Sequence, residues 1–266
     1  MNRDPAVGLL LRDWRQRRRR SQLDLAADAR ISTRHLSFVE TGRSRPSREV
    51  ILELAAALDL PLRERNRLLL AGGYAPQFAE QALNDAPMQA ARQAVQSVLD
   101  GHEPFPALAV DRHWNLLLSN RSAERLLQMV SPELLVAPVN VLKVSLHPQG
   151  LAPAVINLGE WRRYLLARLQ RLCEQNHDPQ LLLLREELTA YPSLPGEGAA
   201  GAPESVLPDV MMVLRLRSPV GDLALFGTLT VFGSPTEITL SELALEAFYP
   251  ADPTTADRLR QLAALD

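Results

Sequence analysis

Four side chains share the outward face of one short predicted helix, and they offer hydroxyl, guanidinium and aromatic groups to a partner. They occur at positions i, i+1, i+4 and i+5, and they are Thr33, Arg34, Ser37 and Phe38. Leu36 and Val39 fall on the opposite side and predict the buried face of the same helix. When such a helix enters the major groove of DNA, the outward residues near its start reach base edges.

Two short helices joined by a tight turn are predicted to hold this face in place. Ser21 and Ser32 stand at the N-cap positions of helices predicted over residues 22–29 and 33–40. Gly42 suits the left-handed residue that ends a helix. Because the second helix presents an exposed polar N-terminal half, the pair has the geometry of a helix-turn-helix.

Three further helices complete a predicted all-α domain of five helices in residues 1–75. An apolar repeat of i, i+3, i+4 and i+7 that begins at Val7 predicts the first helix, Ser47 caps the fourth, and Pro61 opens the fifth. The arginines of residues 15–20 fit a solvated face, and they also fit a strip that faces phosphates.

The net charge of −2 conceals an asymmetry between the two parts of the chain. Residues 1–75 hold 15 Arg against 9 Asp and Glu, whereas residues 76–266 hold 14 Lys and Arg against 22 Asp and Glu. A basic N-terminal part on an acidic remainder predicts a polyanion-binding module joined to a domain that does not bind polyanions.

The N-terminal pattern resembles the lambda-repressor-like, or XRE-type, helix-turn-helix family over residues ~7–72, with the usual uncertainty of element boundaries. The residues that carry the resemblance are Gln22, Leu25, Ala26, Ile31, Ser32, Leu36, Val39, Glu40, Gly42, Pro46 and Ser47. Arg30 departs from the family, which usually has glycine at this place in the turn. Arg30 must therefore adopt a backbone conformation that glycine tolerates better, or the turn must shift.

The resemblance implies a role for each residue of the DNA-binding face. Arg34 is expected to bind guanine O6 and N7, and Phe38 to touch a thymine methyl, although Phe38 could instead pack against the neighbouring helix. Simple solvent exposure is the alternative for Thr33 and Arg34, and Ser32 can act as a cap and a phosphate ligand together. The predicted base-facing residues are Thr33, Arg34, Ser37 and Phe38, and the predicted phosphate contacts are Gln22, Ser32, Arg43 and Arg45.

The rest of the chain predicts a linker with a connector helix in residues 76–103 and an α+β domain in residues 104–266. Two short apolar runs around residues 111–113 predict a first strand pair, and alternation across a turn at residues 219–222 predicts a hairpin. A last strand is predicted over residues 242–249, which could also suit a helix. The result is an antiparallel sheet of about five strands that resembles a PAS-like fold.

Nearly the whole chain resembles the MmyB-like transcription regulators. The stretches that carry the resemblance are residues 32–47, 61–66, 73–76, 110–115, 147–150 and 248–252. Membership implies that the C-terminal domain binds a small ligand, for which long-chain fatty acids are one candidate class.

A pocket for such a ligand needs a long apolar lining and one or two polar anchors. Each apolar candidate could equally be ordinary core, and each polar candidate could be a strand-face charge, a helix cap or a turn residue. The apolar candidates are Leu118, Leu126, Trp161, Leu165, Met212, Leu214, Phe226, Leu229 and Phe248. The polar candidates are Asn120, His147 and Arg215.

The sequence contains no recognisable catalytic or metal-binding motif. None of the five histidines forms an i, i+4 pair, and the esterase, phosphate-loop and dinucleotide motifs are missing. The single cysteine, Cys173, lies in a helical apolar pattern that favours a buried structural thiol. We therefore expect no enzyme, no catalytic residue, no metal site and no cofactor other than a bound apolar molecule.

These inferences combine into a sequence-specific DNA-binding transcription regulator that is controlled by a small fatty-acid-like ligand. Its expected partners are double-stranded DNA, the ligand and a second copy in a homodimer. The alternative is a constitutive or protein-partner-controlled repressor, or an antitoxin-like module, whose C-terminal domain only dimerises. No signal peptide and no apolar run of the ~20 residues that span a bilayer is present, so a cytoplasmic protein is expected.

Overall fold

The computed structural model of the chain describes residues 7–176, 178–194, 212–233 and 235–264. Contacts divide the chain into two compact units, Met1–Ala82 with Gly233–Ser241, and Leu83–Phe232 with Glu242–Asp266. The predicted domain limits at residues 75 and 103 stay predictions; the division in the structure falls after Ala82.

The first unit contains the five helices that the sequence predicted. They are α1 (Val7–Arg17), α2 (Gln22–Asp28), α3 (Thr33–Glu40), α4 (Arg48–Ala57) and α5 (Leu62–Ala71). Three predicted N-caps are confirmed, because the hydroxyls of Ser21, Ser32 and Ser47 accept hydrogen bonds from backbone N–H groups at 3.1, 3.1 and 3.3 Å. Gly42 follows α3 with a φ of +73°, as predicted for the residue that ends this helix.

The core of the first unit lies between these helices and consists of aliphatic side chains with Trp14. Helices α1 and α3 approach closely at Gly8, where a Cβ would lie 2.1 Å from the carbonyl oxygen of Val39. This approach is possible only because Gly8 lacks a side chain, and it helps to fix α3 against α1.

The segment between the last two strands of the second unit belongs to the first unit. It contains the short helix α11 (Ile238–Ser241), and Ile238 donates its backbone N–H to the carbonyl oxygen of Ala79 at 2.9 Å. The backbone N–H of Gln81 donates to the Glu237 carboxylate at 3.0 Å, and the Thr239 hydroxyl donates to the Gln81 carbonyl at 2.6 Å. The sequence did not predict this pairing, because the two stretches are about 155 residues apart.

Within the described residues, the second unit contains an antiparallel sheet of five strands in the order β2-β1-β5-β4-β3. The strands are β1 (Ala107–Val110), β2 (Leu116–Ser119), β3 (Val213–Leu216), β4 (Leu223–Val231) and β5 (Ala244–Pro250). The predicted strand pair, hairpin and last strand are all confirmed, and the helical alternative for residues 242–249 is wrong.

Helices cover both faces of this sheet. They are α6 (Gln89–Asp100), α7 (Arg121–Leu127), α8 (Val141–Leu146), α9 (Leu158–Asn176), α10 (Pro179–Ala190) and α12 (Pro253–Ala263). Helix α6, which the sequence placed in a connector, packs on β1 and β2 and buries Val95 and Leu99. The larger core lies on the other face, where α9 brings Trp161, Leu165 and Leu169 towards the strands.

Candidate DNA interface and ligand cavity

Helix α3 presents the face that the sequence predicted. Leu36 and Val39 point into the first core and are 0% and 1% exposed. The outward side carries the exposed Arg34 and the half-buried Thr33, Ser37 and Phe38. The structure thus brings the four predicted base-facing side chains together, while their contacts with bases stay a prediction.

Phe38 lies outside the hydrophobic core and between two arginines. The Cζ atoms of Arg34 and Arg43 are 5.3 and 6.0 Å from the centroid of its ring. Because cations favour the face of an aromatic ring at such distances, Phe38 helps to orient both guanidinium groups on the outward side of α3.

A buried carboxylate at the end of α3 joins the first three helices. Glu40 is 3% exposed and accepts hydrogen bonds from Arg15 Nε at 2.7 Å and Nη2 at 2.9 Å. Gln22 Nε2 donates to the same carboxylate at 2.7 Å. The hydrogen bond to Glu40 raises the pKa of Arg15, and the contact between the two side chains helps to hold α3 in a fixed position.

Two of the predicted phosphate ligands, Gln22 and Arg45, already make contacts inside the first unit. The Gln22 amide N–H is bound to Glu40, so a phosphate would have to compete with that carboxylate. Arg45 donates from Nε and Nη2 to the carbonyl oxygen of Gly72 at 3.2 and 2.8 Å, and its guanidinium lies 5.6 Å from the centroid of the Tyr74 ring. Arg45 therefore links the loop after α3 to the end of α5.

The other two phosphate candidates keep polar groups at the surface. The Ser32 hydroxyl accepts from the His35 backbone N–H and still has its own O–H to donate. Arg43 is exposed beside Phe38. Phosphate binding by both residues stays a prediction.

The arginine-rich stretch at the end of α1, residues 15–20, is largely engaged in contacts within the first unit. Arg17 pairs with Asp13, Arg20 pairs with Asp28, and Arg18 donates to the Asp59 carbonyl at 3.1 Å. These contacts favour the solvated-face interpretation over a strip that faces phosphates.

Arg30 has the unusual backbone conformation that its place in the turn requires. Its φ is +54°, in the left-handed region, and the N–H groups of Arg30 and Ile31 bond to Ala27 and Ala26 at 3.1 and 2.9 Å. The turn between α2 and α3 therefore keeps its tight form with arginine in place of glycine.

An apolar cavity of about 80 Å³ lies in the second unit between the sheet and helices α7, α8 and α9. Five predicted lining residues are in its wall, namely Leu126, Trp161, Leu165, Leu214 and Phe248. Ligand pockets usually enclose ~300–1,000 Å³, so this cavity fits only a small molecule unless its walls move apart.

Four predicted lining residues are outside the cavity wall, and two of them, Leu118 and Phe226, lie on the other face of the sheet. Leu118 pairs with Ala109 in the sheet, so it points away from the cavity face that Leu108 forms. Phe226 stacks on Tyr249 with ring centroids 5.4 Å apart, also on that far face. Leu229 and Met212 are outside the cavity wall as well, and Leu229 is 47% exposed.

None of the three predicted polar anchors lines the cavity. Asn120 forms hydrogen bonds with backbone groups of residues 99, 105, 107 and 123. It caps α7, which was the alternative to ligand binding that the sequence offered. His147 Nδ1 accepts from the Gln149 backbone N–H at 3.1 Å in the predicted turn. Arg215 alternates with Leu214 and lines a separate polar groove.

The polar groups of the cavity come from residues that the sequence analysis missed. Among the described residues of the wall, Ser145 and Glu246 are the polar ones, and the Trp161 indole N–H donates to Ser145 Oγ at 2.8 Å. Glu246 on β5 is 9% exposed, and its Oε1 accepts from Arg168 Nη1 at 3.0 Å. Burial raises the pKa of Glu246, and the charge and hydrogen bond of Arg168 oppose that effect.

The single thiol has no feature of a nucleophile. Cys173 is buried in α9, and desolvation raises its pKa, which disfavours the reactive thiolate. No group of three or more metal-ligating side chains occurs in the described residues, and His177 lies outside them. No helix in the described part of the chain is long and apolar enough to cross a membrane.

The outward face of α3 and the apolar cavity define a protein that combines a helix-turn-helix with a ligand-binding domain. A helix-turn-helix family matches residues 11–65, and the MmyB-like transcription regulator ligand binding domain matches residues 91–262. Because the second match spans more than half of the chain, the chain belongs to the MmyB-like transcription regulators. The chain therefore combines a helix-turn-helix with the ligand-binding domain of that family.

The remaining comparisons add little to this assignment. A solved structure entitled "Structure of an RNA-binding Light-Oxygen-Voltage Receptor" is 12% identical, with a TM-score of 0.30, over 98% of this chain. The chain spans 62% of the length of that structure's chain, and so weak a likeness carries no argument. No curated protein matches the chain. The PAS-like description of the second domain stays a prediction.

Proposed function

We propose that this regulator binds specific DNA sequences as a homodimer and that a small apolar ligand in the second domain controls the binding. The observation that carries the ligand part is the partly open cavity with an almost wholly aliphatic and aromatic wall. Such a wall favours apolar ligands, because about 25 cal/mol is gained for each Å² of apolar surface removed from water.

Fatty-acid-like molecules are the candidates that the family resemblance suggests. The present volume of about 80 Å³ requires the walls to separate before a long chain fits. Separation of the walls would give the domain a closed and an open conformation. A ligand that binds only the open one shifts the equilibrium between them, and this shift is the proposed means of control.

Sequence-specific binding is assigned to the outward face of α3. Arg34 is exposed there and is oriented by Phe38, which suits a bidentate contact with guanine. A homodimer is proposed because helix-turn-helix proteins commonly read two half-sites about 34 Å apart.

The chain itself offers a route from ligand to DNA-binding helices. Strand β5 carries Glu246 and Phe248 of the cavity wall. The segment Gly233–Ser241, which ends two residues before β5, belongs to the first unit, where Glu237 binds Gln81. We propose that a displacement of β5 reaches that segment through Glu242 and Leu243, the two residues that link them.

The test compares DNA binding of purified protein before and after removal of bound lipid, together with mass spectrometry of the extract. DNA selected from a random pool should be bound with an affinity that changes at least about tenfold on lipid removal, equal to ~1.4 kcal/mol. The variant Ala123→Leu, which fills the cavity, should abolish this dependence. Ala90→Leu on the exposed side of α6 is the matched control.

Two results contradict the proposal in different ways. If neither lipid removal nor Ala123→Leu changes the DNA affinity, the protein is a constitutive or protein-partner-controlled regulator. Absence of any preferred DNA sequence would overturn the role assigned to α3.

A further inference from the structure

We infer that the cavity selects an uncharged ligand with a hydroxyl group, which donates a hydrogen bond to Glu246, over a ligand with a carboxylate. The inference rests on the proposed ligand-binding function and narrows the chemical class of the ligand.

Glu246 lines the apolar cavity, and one of its two carboxylate oxygens makes no hydrogen bond to the described residues. Its Oε1 is occupied by Arg168, whereas Oε2 has no hydrogen-bond partner among the described residues. Glu246 as a whole is only 9% exposed, so a ligand that brings an O–H group to Oε2 gains a hydrogen bond to a carboxylate in a largely apolar site, in addition to its apolar contacts.

Ser145 provides the complementary group on the opposite wall. Its Oγ accepts from Trp161 Nε1 at 2.8 Å, and its own O–H has no acceptor among the described residues. The cavity thus offers one donor and one acceptor, and a hydroxyl group is the smallest group that can satisfy either or both.

The position of Arg168 explains why an anion is disfavoured. Arg168 is not among the described residues that line the cavity; it lies behind Glu246, with its Cζ 4.3 Å from the centroid of the Trp114 ring. An anionic head group would therefore face the carboxylate first, and like charges in an apolar site repel strongly.

A cationic head group is disfavoured for a different reason. The pair of Glu246 and Arg168 is already neutral as a unit, so an ammonium group would add an uncompensated charge to the cavity. An uncharged donor avoids both costs.

The test uses three small probes of nearly equal size and delipidated full-length protein. Isothermal titration calorimetry at pH 7.5 compares 1-octanol, octanoate and 1-methoxyheptane, an ether isomer of octanol that lacks the O–H donor. We expect octanol to bind about tenfold or more tightly than each of the other two, since both lose the bond to Oε2.

Two variants test whether Glu246 causes the preference for octanol. Glu246→Gln removes the negative charge at nearly constant volume, and the preference for octanol over octanoate should fall below about threefold or reverse, because Arg168 then lacks its counter-ion. Glu242→Gln, which changes a carboxylate that faces Arg112 outside the cavity, should leave the preference unchanged. If Glu246→Gln does not fold, the comparison of the three probes on the native protein still tests whether the cavity prefers an uncharged O–H donor.

The outcomes separate this inference from the function on which it rests. Octanoate or the ether binding as tightly as octanol overturns the inference and leaves an apolar-ligand regulator in place. Failure of all three probes to bind overturns both.

Discussion

The guanidinium group of Arg168 donates to the carboxylate of Glu246 at 3.0 Å and lies 4.3 Å from the centre of the Trp114 ring. The three residues belong to α9, β5 and the turn between β1 and β2. Trp114 is 5% exposed and has a φ of +68°, so this turn is held in a conformation that few L-residues adopt. The ion pair thus joins the helix and the sheet at the cavity.

Replacement of either member of this pair alone should destabilise the second unit. Arg168→Met or Glu246→Leu leaves one charge buried without its partner, and breaking a buried pair costs ~3–5 kcal/mol. The double variant should lose clearly less than the sum of the two, because it buries no lone charge. Urea unfolding followed by circular dichroism measures the coupling energy.

A surface arginine on the same helix provides the control. Arg163 on α9 is exposed, so Arg163→Met should change the free energy of unfolding by less than about 0.5 kcal/mol. Strict additivity of the Arg168 and Glu246 changes would contradict the pairing.

Specific DNA recognition should depend on Arg34. Arg34→Ala removes the proposed bidentate contact with guanine and should weaken binding to the selected site by ~1–3 kcal/mol. Binding to unrelated DNA should change much less, because non-specific affinity comes from phosphate contacts. Fluorescence anisotropy at fixed salt measures both affinities.

Arg19→Ala is the matched control for loss of charge, because Arg19 is exposed and lies outside α3. An equal loss of specific binding in the two variants would assign a general electrostatic effect to Arg34 instead of base recognition.

The turn between α2 and α3 should become more stable when Arg30 is replaced by glycine. The left-handed φ of +54° costs an L-residue ~1–2 kcal/mol that glycine largely avoids, although glycine also gains entropy in the unfolded chain. We expect Arg30→Gly to stabilise the first unit by ~0.5–1 kcal/mol, with Arg30→Ala as the control that keeps the Cβ. Thermal unfolding that ranks Ala above Gly would contradict this account.

Local signals predicted most of the first unit. The caps at Ser21, Ser32 and Ser47 and the end of α3 at Gly42 depend on residues adjacent in sequence, and all four are confirmed. Arg45 was assigned to phosphate, whereas it binds the Gly72 carbonyl, because the sequence does not reveal which distant partner a long side chain will meet.

In the second unit, the pattern predicted strands better than it predicted their faces. Helices cover both sides of the sheet, so apolar residues occur on both, and alternation no longer distinguishes the cavity side. Leu118 and Phe226 were therefore assigned to the wrong face. Glu246 lies two residues before Phe248, so both face the cavity side of β5. An acidic residue on the apolar side of a strand was the available signal for the ion pair.

Acid should weaken the contact between the β1–β2 turn and α10, since it depends on an ionised Asp178. His113 Nε2 lies 2.8 Å from Asp178 Oδ2, and Oδ1 accepts from the Gln180 backbone N–H at 2.9 Å. Burial acts to raise the pKa of Asp178, but the hydrogen bonds from His113 and Gln180 outweigh it, so the pKa falls below its ordinary value of 3.8. A lowered pKa in the folded state means that the stabilisation is present above pH ~4 and is lost as the pH falls further.

The variant Asp178→Asn tests this sign, because asparagine can still cap α10 but cannot ionise. At pH 7 it should be less stable than the native protein by ~1–2 kcal/mol, as expected for a hydrogen bond to a charged group, and the difference should shrink below pH ~4. Urea unfolding at pH 7, 5 and 3.5 measures the trend, with Asp257→Asn on the exposed side of α12 as the control. A difference that stays constant down to pH 3.5 would show that the Asp178 charge contributes nothing to stability, since the asparagine side chain of the variant and a protonated Asp178 are both neutral.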